Sequence, residues 1–175
     1  MILKKGKAVR AKRTLLIAAV ILIVASAAAT GHSADLAGEV APDFTLKSIR
    51  GSDVALSSYK GKVVLLNFWS VWCMPCREEL PSMNKLYLKY KDNGLVVLAV
   101  STDDDTESVD KLLIKNPVDF PVLMDAGMKV SKRKYHVNAE PTTFLIGKDG
   151  KIIRKYFGSV DWMDDAVQKE ITAHF

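Results

Sequence analysis

The sequence predicts an α/β fold whose sheet has a parallel core and an antiparallel edge. Strand-like and helix-like stretches alternate through the middle of the chain in the order βαβαβ, and such alternation requires parallel strands joined by crossovers. A short helix or turn, two more strands and a closing helix follow. The last two strands flank Lys148-Asp149-Gly150, an Asp-Gly hairpin signal. A length of 175 residues, 49% of them apolar, suits one domain with a full core and leaves too little chain for a second.

Each element has a local signal. Met1–Arg13 is cationic and precedes the apolar run Leu15–Ala29, after which Ala27-Ala28-Ala29 or Ala29-Thr30-Gly31 offers small residues at signal-peptidase spacing. The run is shorter than the roughly 20 residues of a full membrane span. Residues 1–34 are therefore expected to be a signal peptide or, if Thr30–Ala34 extends the run, an N-terminal membrane anchor. The folded domain, residues 35–175, is expected on the far side of the membrane from the positive charges. Ala41–Lys62 reads as a hairpin region, with Phe44 and Leu46, then Val54 and Leu56, alternating with polar residues around Gly51.

Val63–Trp69 is almost wholly apolar, as suits a strand buried on both faces. From Met74 to about Asn93 the residues Leu80, Met83, Leu86, Tyr87 and Tyr90 recur at helical spacings. Pro81 is expected to kink that helix and Asn93-Gly94 to end it. Leu95–Thr102 is a second buried strand. Thr106–Asn116 is a helix, with Thr106 and Asp103–Asp105 supplying capping chemistry. Phe120–Asp125 is a strand, and Gly127–Val137 a short basic helix or turn. Thr142–Ile146 and Lys151–Phe157 form the hairpin, and Asp161 to about His174 the closing helix.

The net charge of +5 does not indicate a nucleic-acid partner. Lys4, Lys5, Lys7, Arg10, Lys12 and Arg13 precede the first acidic residue, Asp35. Without those six, 19 Lys+Arg face 20 Asp+Glu, so the body of the protein is near neutral.

Chemistry centres on the only two cysteines, Cys73 and Cys76, at the hinge between a strand and a helix. A zinc site would need two more ligands, but His32, His136 and His174 are scattered and there is no second CxxC. A purely structural disulfide would close very little chain and so contribute little stability. A redox dithiol fits the position. Unpaired N–H groups at a helix start stabilise a thiolate on Cys73, and Cys76 then resolves the mixed disulfide that Cys73 forms. Pro75 is tolerated early in the helix, where its missing N–H had no partner. Trp69 suits the core. Trp72, beside the thiol, suits a docking surface.

The stretch NFWSVWCMPCREELP, with Pro81 five residues after Cys76, resembles the thioredoxin superfamily and, within it, the exported TlpA/ResA/CcmG-like thiol–disulfide oxidoreductases. The resemblance spans about residues 40–175, including PTTFLI and KDGKI. It implies a thioredoxin-like three-layer fold: a central mixed sheet, helices on both faces and an extra N-terminal β-hairpin. It implies that Pro141 is a cis-proline facing the CxxC motif, exposing the backbone of the preceding residue for pairing with substrate. It also gives Asn67 the place of the buried Asp of thioredoxins, and makes Glu79, on the same side of the helix as Cys76, a proton relay.

Expected catalytic residues are thus Cys73, Cys76 and Glu79. Trp72, Met74, Pro75, Glu140 and Pro141 are expected to meet the substrate. Glu140 departs from the uncharged residue usual before the cis-proline, and a carboxylate close to Cys73 would oppose thiolate formation. Met74-Pro75 differs from the Gly-Pro of thioredoxin, so the reduction potential does not carry over. No cofactor beyond the Cys73–Cys76 disulfide/dithiol is implied, and no metal.

The implied function is reduction of disulfides in exported proteins. Apocytochrome c is the foremost substrate class, and a membrane electron donor of the DsbD/CcdA type regenerates the dithiol. Two alternatives stand beside it. Thiol peroxidases of the AhpC/TSA type place Pro and Thr seven and three residues before the reactive cysteine, where this chain has Leu66 and Ser70. A non-catalytic thioredoxin-like binding module would not need Cys73 at all.

Overall fold

A computed structural model describes residues 36–175. The predicted signal peptide or membrane anchor, residues 1–34, and the start of the predicted domain at Asp35 lie outside the described residues. Among those described, no helix is long and apolar enough to cross a membrane.

Seven strands form one mixed sheet in the order β2-β1-β5-β4-β3-β6-β7. They are β1 Thr45–Ser48, β2 Asp53–Ala55, β3 Val63–Trp69, β4 Leu95–Ser101, β5 Val122–Met124, β6 Thr142–Ile146 and β7 Ile152–Phe157. β3, β4 and β5 are parallel neighbours, which is the predicted parallel core. β6 pairs antiparallel with β3, and β7 with β6. The predicted N-terminal hairpin, β1 and β2, joins the sheet through β5.

Alternation along the central strands sorts side chains into two cores. Val63, Leu65, Trp69, Val97 and Ala99 face α1 (Met74–Tyr90), α2 (Thr106–Lys115) and α3 (Asp165–Thr172), which contribute Leu80, Met83, Val109 and Ile171. Val64, Leu66, Phe68, Leu98 and Val100 face the other way. The crossovers β3-α1-β4 and β4-α2-β5 step in the same direction across the sheet, so parallel connections of one hand place both helices on one face.

The expectation of helices on both faces needs this refinement. The second covering layer contains the 3-10 turn Leu56–Tyr59 and the segment 126–138, which contributes Val130, Tyr135 and Val137. That segment is a chain of turns. The buried Asp125 carboxylate accepts from Val130 N–H (3.0 Å) and Ser131 N–H (2.7 Å), and Met128 and His136 take left-handed backbone angles that interrupt a helix.

Other boundaries shift for local reasons. Pro81 lies inside α1 without dividing it. The helix ends at Tyr90, a 3-10 turn follows over Lys91–Asn93, and Gly94 closes it at φ 100°. The cap of α2 is Asp105, which accepts from Glu107 and Ser108 N–H; Thr106 is already helical. The closing helix begins four residues later than predicted because Asp164 caps it and 161–164 form a turn. β5 and β7 are shorter than predicted, at Val122–Met124 and Ile152–Phe157.

Candidate active site

β3 ends at Trp69 and α1 starts at Met74, so four residues carry the chain from the sheet to the helix. Cys73 is the N-cap. Its Sγ accepts from Cys76 N–H at 3.2 Å, and its carbonyl oxygen accepts from Arg77 N–H. Pro75 occupies the first turn, where no N–H partner is lost. The two sulfurs are bonded at 2.01 Å. Cys73 is half-buried, whereas Cys76 is 0% exposed and packs with the core. Of the two, Cys73 is the one that a protein-sized partner reaches, and it sits where helix N–H groups favour a thiolate. Trp72 (87% exposed), Met74 and Pro75 form the outer surface around it, while Trp69 is core.

Behind the pair lies a buried polar cluster. Glu79, only 2% exposed, is one turn along α1 from Cys76. Its Oε1 accepts from Asn67 Nδ2 (2.9 Å) and its Oε2 from Val160 N–H (3.1 Å). Asn67 Nδ2 also donates to Thr143 Oγ1 at 2.8 Å, across the β3–β6 register. Burial pushes the Glu79 carboxyl up to about 7, against the lowering pull of Val160 N–H, Asn67 and Trp162. The Trp162 indole N–H acts without a standard hydrogen bond. A carboxyl poised near neutrality, on the same helix as a buried thiol, can exchange a proton at little cost.

Residues 37–155 match the family described as AhpC/TSA. Thiol-disulfide oxidoreductase ResA of Bacillus thuringiensis (strain Al Hakam) is 38% identical over 156 residues, covering 84% of this chain and 90% of that protein. A ResA of Bacillus cereus is 41% identical over 121 residues, 69% of each. This chain belongs to the AhpC/TSA family, as a ResA-like thiol–disulfide oxidoreductase. A Chlorobium tepidum crystal structure, provisionally described as thiol:disulfide interchange protein DsbE, has a TM-score of 0.73 and 38% identity, covering 79% of this chain and 96% of that one. The thioredoxin-like fold follows.

In this ResA-like chain the Glu140–Pro141 peptide bond is cis. Pro141 is buried, and its carbonyl oxygen accepts from Gly158 N–H. The Phe68–Thr142 pairing brings it to the C-terminal end of β3, where the cysteine loop emerges. The side chain of half-buried Glu140 is held in place: its Oε1 accepts from Thr102 Oγ1 at 2.6 Å. Thr102 N–H in turn donates to the Trp69 carbonyl oxygen (2.9 Å), so one residue after β4 joins the two loops. The positions where peroxidases carry Pro and Thr hold Leu66, buried within β3, and Ser70.

Sequence reading missed Thr102, Thr143, Val160 and Asp103 as parts of the site. The three consecutive aspartates, taken together as capping chemistry, do different work. Asp103 accepts from Val71 N–H (2.9 Å) and Ser101 Oγ (2.8 Å), Asp104 from Gly127 N–H (2.9 Å), and Asp105 caps α2. Three acids beyond a strand that ends level with the cysteine loop were the available signal. Asp103→Ala leaves Val71 N–H without its acceptor beside the redox pair. It is expected to lower the unfolding free energy by about 1–3 kcal/mol in urea titration. An unchanged midpoint would remove Asp103 as the anchor of the loop.

Proposed function

We propose that this ResA-like protein is an extracytoplasmic reductase of disulfides in exported proteins, of the cytochrome c maturation type. The observation that carries the reading is the order of groups at the hinge: half-buried Cys73 at the helix start, buried Cys76 behind it, and Glu79 with a carboxyl near 7 behind that. In the dithiol form, the Cys73 thiolate attacks one sulfur of the partner disulfide and expels a partner thiolate. Cys76, its proton passed to Glu79, then attacks Cys73 Sγ and expels the second. Two electrons move to the partner, which leaves as a dithiol, and Cys73–Cys76 closes as the disulfide.

Trp72, Met74 and Pro75 supply the contact surface, and Glu140 and Pro141 receive the partner's backbone. Apocytochrome c, with its oxidised CxxC before haem attachment, fits as the substrate class. A membrane donor of the DsbD/CcdA type fits as the source of electrons. Export is supported by the cationic and apolar leader at residues 1–34. A peroxidase reading is not favoured, because Leu66 stands where that chemistry has proline.

The test is the reduction potential of Cys73–Cys76, measured against glutathione or dithiothreitol buffers. A reductase is expected well below the DsbA-like value of about −120 mV. A potential at or above that value would make the protein an oxidant.

A further inference from the structure

The side chain of Glu140 reaches across the end of β3. Glu140 lies two residues before β6, Thr102 directly follows β4, and β3 runs between those two strands. The 2.6 Å bond from Thr102 Oγ1 to Glu140 Oε1 spans that gap. The same hydroxyl is 3.5 Å from the Trp69 carbonyl oxygen, to which Thr102 N–H also donates at 2.9 Å. One hydroxyl therefore separates the Glu140 carboxylate from the root of the connection that ends in Cys73. Cys73 N–H donates to the Ser70 carbonyl oxygen at 3.3 Å, so the connection folds back as a turn and keeps Cys73 near its root.

This carboxylate is fixed and has no cation of its own. Thr102 is 6% exposed, and its hydroxyl has one proton to give. The Trp69 carbonyl oxygen is within that proton's reach, so satisfying Thr102 does not require a charged residue at 140. Glu140 is half-buried, and among the described residues it forms no ion pair and accepts no other hydrogen bond. Arg77, one turn into α1, and Lys129 and Lys132, in the segment 126–138, do not pair with it. The acids that follow Thr102 add to its field: Asp103, Asp104 and Asp105 accept from the N–H groups of Val71, Gly127 and Glu107, all neutral donors. A cation that balances Glu140 has to come from outside.

We propose that Glu140, positioned by Thr102, selects partner disulfides that carry Lys or Arg beside the reacting cysteine and disfavours those that carry Asp or Glu there. The proposal rests on the disulfide exchange and on the backbone contact at Glu140 proposed above. A partner whose main chain pairs at Glu140 carries its neighbouring side chains past a carboxylate that cannot swing away. A like charge there meets it partly desolvated, whereas a cation supplies the missing partner. Glu140 is thus a specificity-determining residue, and Thr102, which acts through it, a positioning residue.

The test measures how fast the reduced full-chain protein reduces synthetic peptides that share one CxxC disulfide and carry Lys, Gln or Glu immediately outside either cysteine. Each rate is divided by the rate with dithiothreitol, which removes the effect of the flanking charge on the disulfide itself. The Lys peptide is expected to react about tenfold faster than the Glu peptide, with Gln between them. The ratio shrinks as salt is raised, a measurement that needs no variant. In Glu140→Gln, which can still accept from Thr102, the ratio collapses towards unity, and in Glu140→Lys it inverts. Thr102→Val keeps the charge but releases it, so the ratio falls; Thr102→Ser, which keeps the hydroxyl, restores it. Because every ratio is taken within one variant, changes in overall rate cancel. Equal rates for Lys and Glu peptides in the wild type would overturn the proposal. So would a wild-type ratio in Glu140→Gln, which would assign the selectivity to Asp103–Asp105. A wild-type ratio in Thr102→Val would overturn the positioning by Thr102. Failure to reduce any peptide or the neutral 2-hydroxyethyl disulfide would instead overturn the exchange reading, and this proposal with it.

Discussion

Cys73→Ser is expected to abolish disulfide exchange, by about 10³-fold or more, while Cys76→Ser accumulates a mixed disulfide with the partner. The asymmetry follows from burial. Cys73 has surface and the start of α1 to stabilise its thiolate; Cys76 has no exposed surface and acts only on a bond that Cys73 has already made. Without Cys76 the first attack still proceeds, and the intermediate has no internal exit. Non-reducing electrophoresis with mass spectrometry of the adduct reads the result and identifies the partner. An apocytochrome c among the adducts would support the maturation reading. If Cys73→Ser retained function in cells, the chain would be a binding module, and the redox motif incidental. If Cys76→Ser formed no adduct with any protein while the wild type reduced them, the order of attack would be wrong.

Glu79→Gln is expected to slow exchange by about 10²-fold and, at the same time, to remove the loss of stability that the buried carboxyl imposes as pH rises. The carboxyl ionises at about 7 in the folded protein against 4.5 when unperturbed. Between those values the folded state holds a proton that the unfolded state has released, so unfolding free energy falls as pH rises through that window. The loss reaches about 3 kcal/mol above pH 7, from about 1.4 kcal/mol per pH unit. Gln has no charge to bury but sets an NH2 against one of two N–H donors, a cost that does not vary with pH, so the variant's unfolding free energy relative to wild type should rise by that amount from pH 4.5 to pH 8. Denaturant titrations at the two pH values measure it. Activity moves in the opposite sense. The carboxylate accepts the Cys76 proton, so the wild-type rate rises with pH through about 7, and the variant lacks that limb. A variant with the wild-type pH–rate profile would leave Glu79 as a structural residue only.

These effects meet in one residue because the site stores its working charge where the core does not want it. Glu79 tolerates burial through Asn67 and Val160, which hold its two oxygens from a strand and from the loop after β7. The partners are 12 and 81 residues away in sequence. Helical spacing alone places Glu79 near Cys76; it says nothing of Val160, because a backbone N–H has no residue identity to read.

The sequence by itself determined the local layers: which runs are strands, which faces of α1 are apolar, and that the two cysteines fall at a strand–helix hinge with Glu79 three residues beyond Cys76. Those follow from periodicity, which is set by neighbours within one or two turns. Tertiary structure alone decided what joins distant segments. It separated the roles of Asp103, Asp104 and Asp105, and tied Glu140 to Thr102, a partner that nothing in the sequence indicated. It made the second covering layer from turns, because Met128 and His136 take left-handed backbone angles that a helix does not contain, with the Asp125 carboxylate holding the Val130 and Ser131 N–H groups between them. The physical reason is common to all three. A side chain's hydrogen-bond partner is chosen by which chain ends the sheet order brings together, and that order is a property of the assembled sheet and not of any one strand.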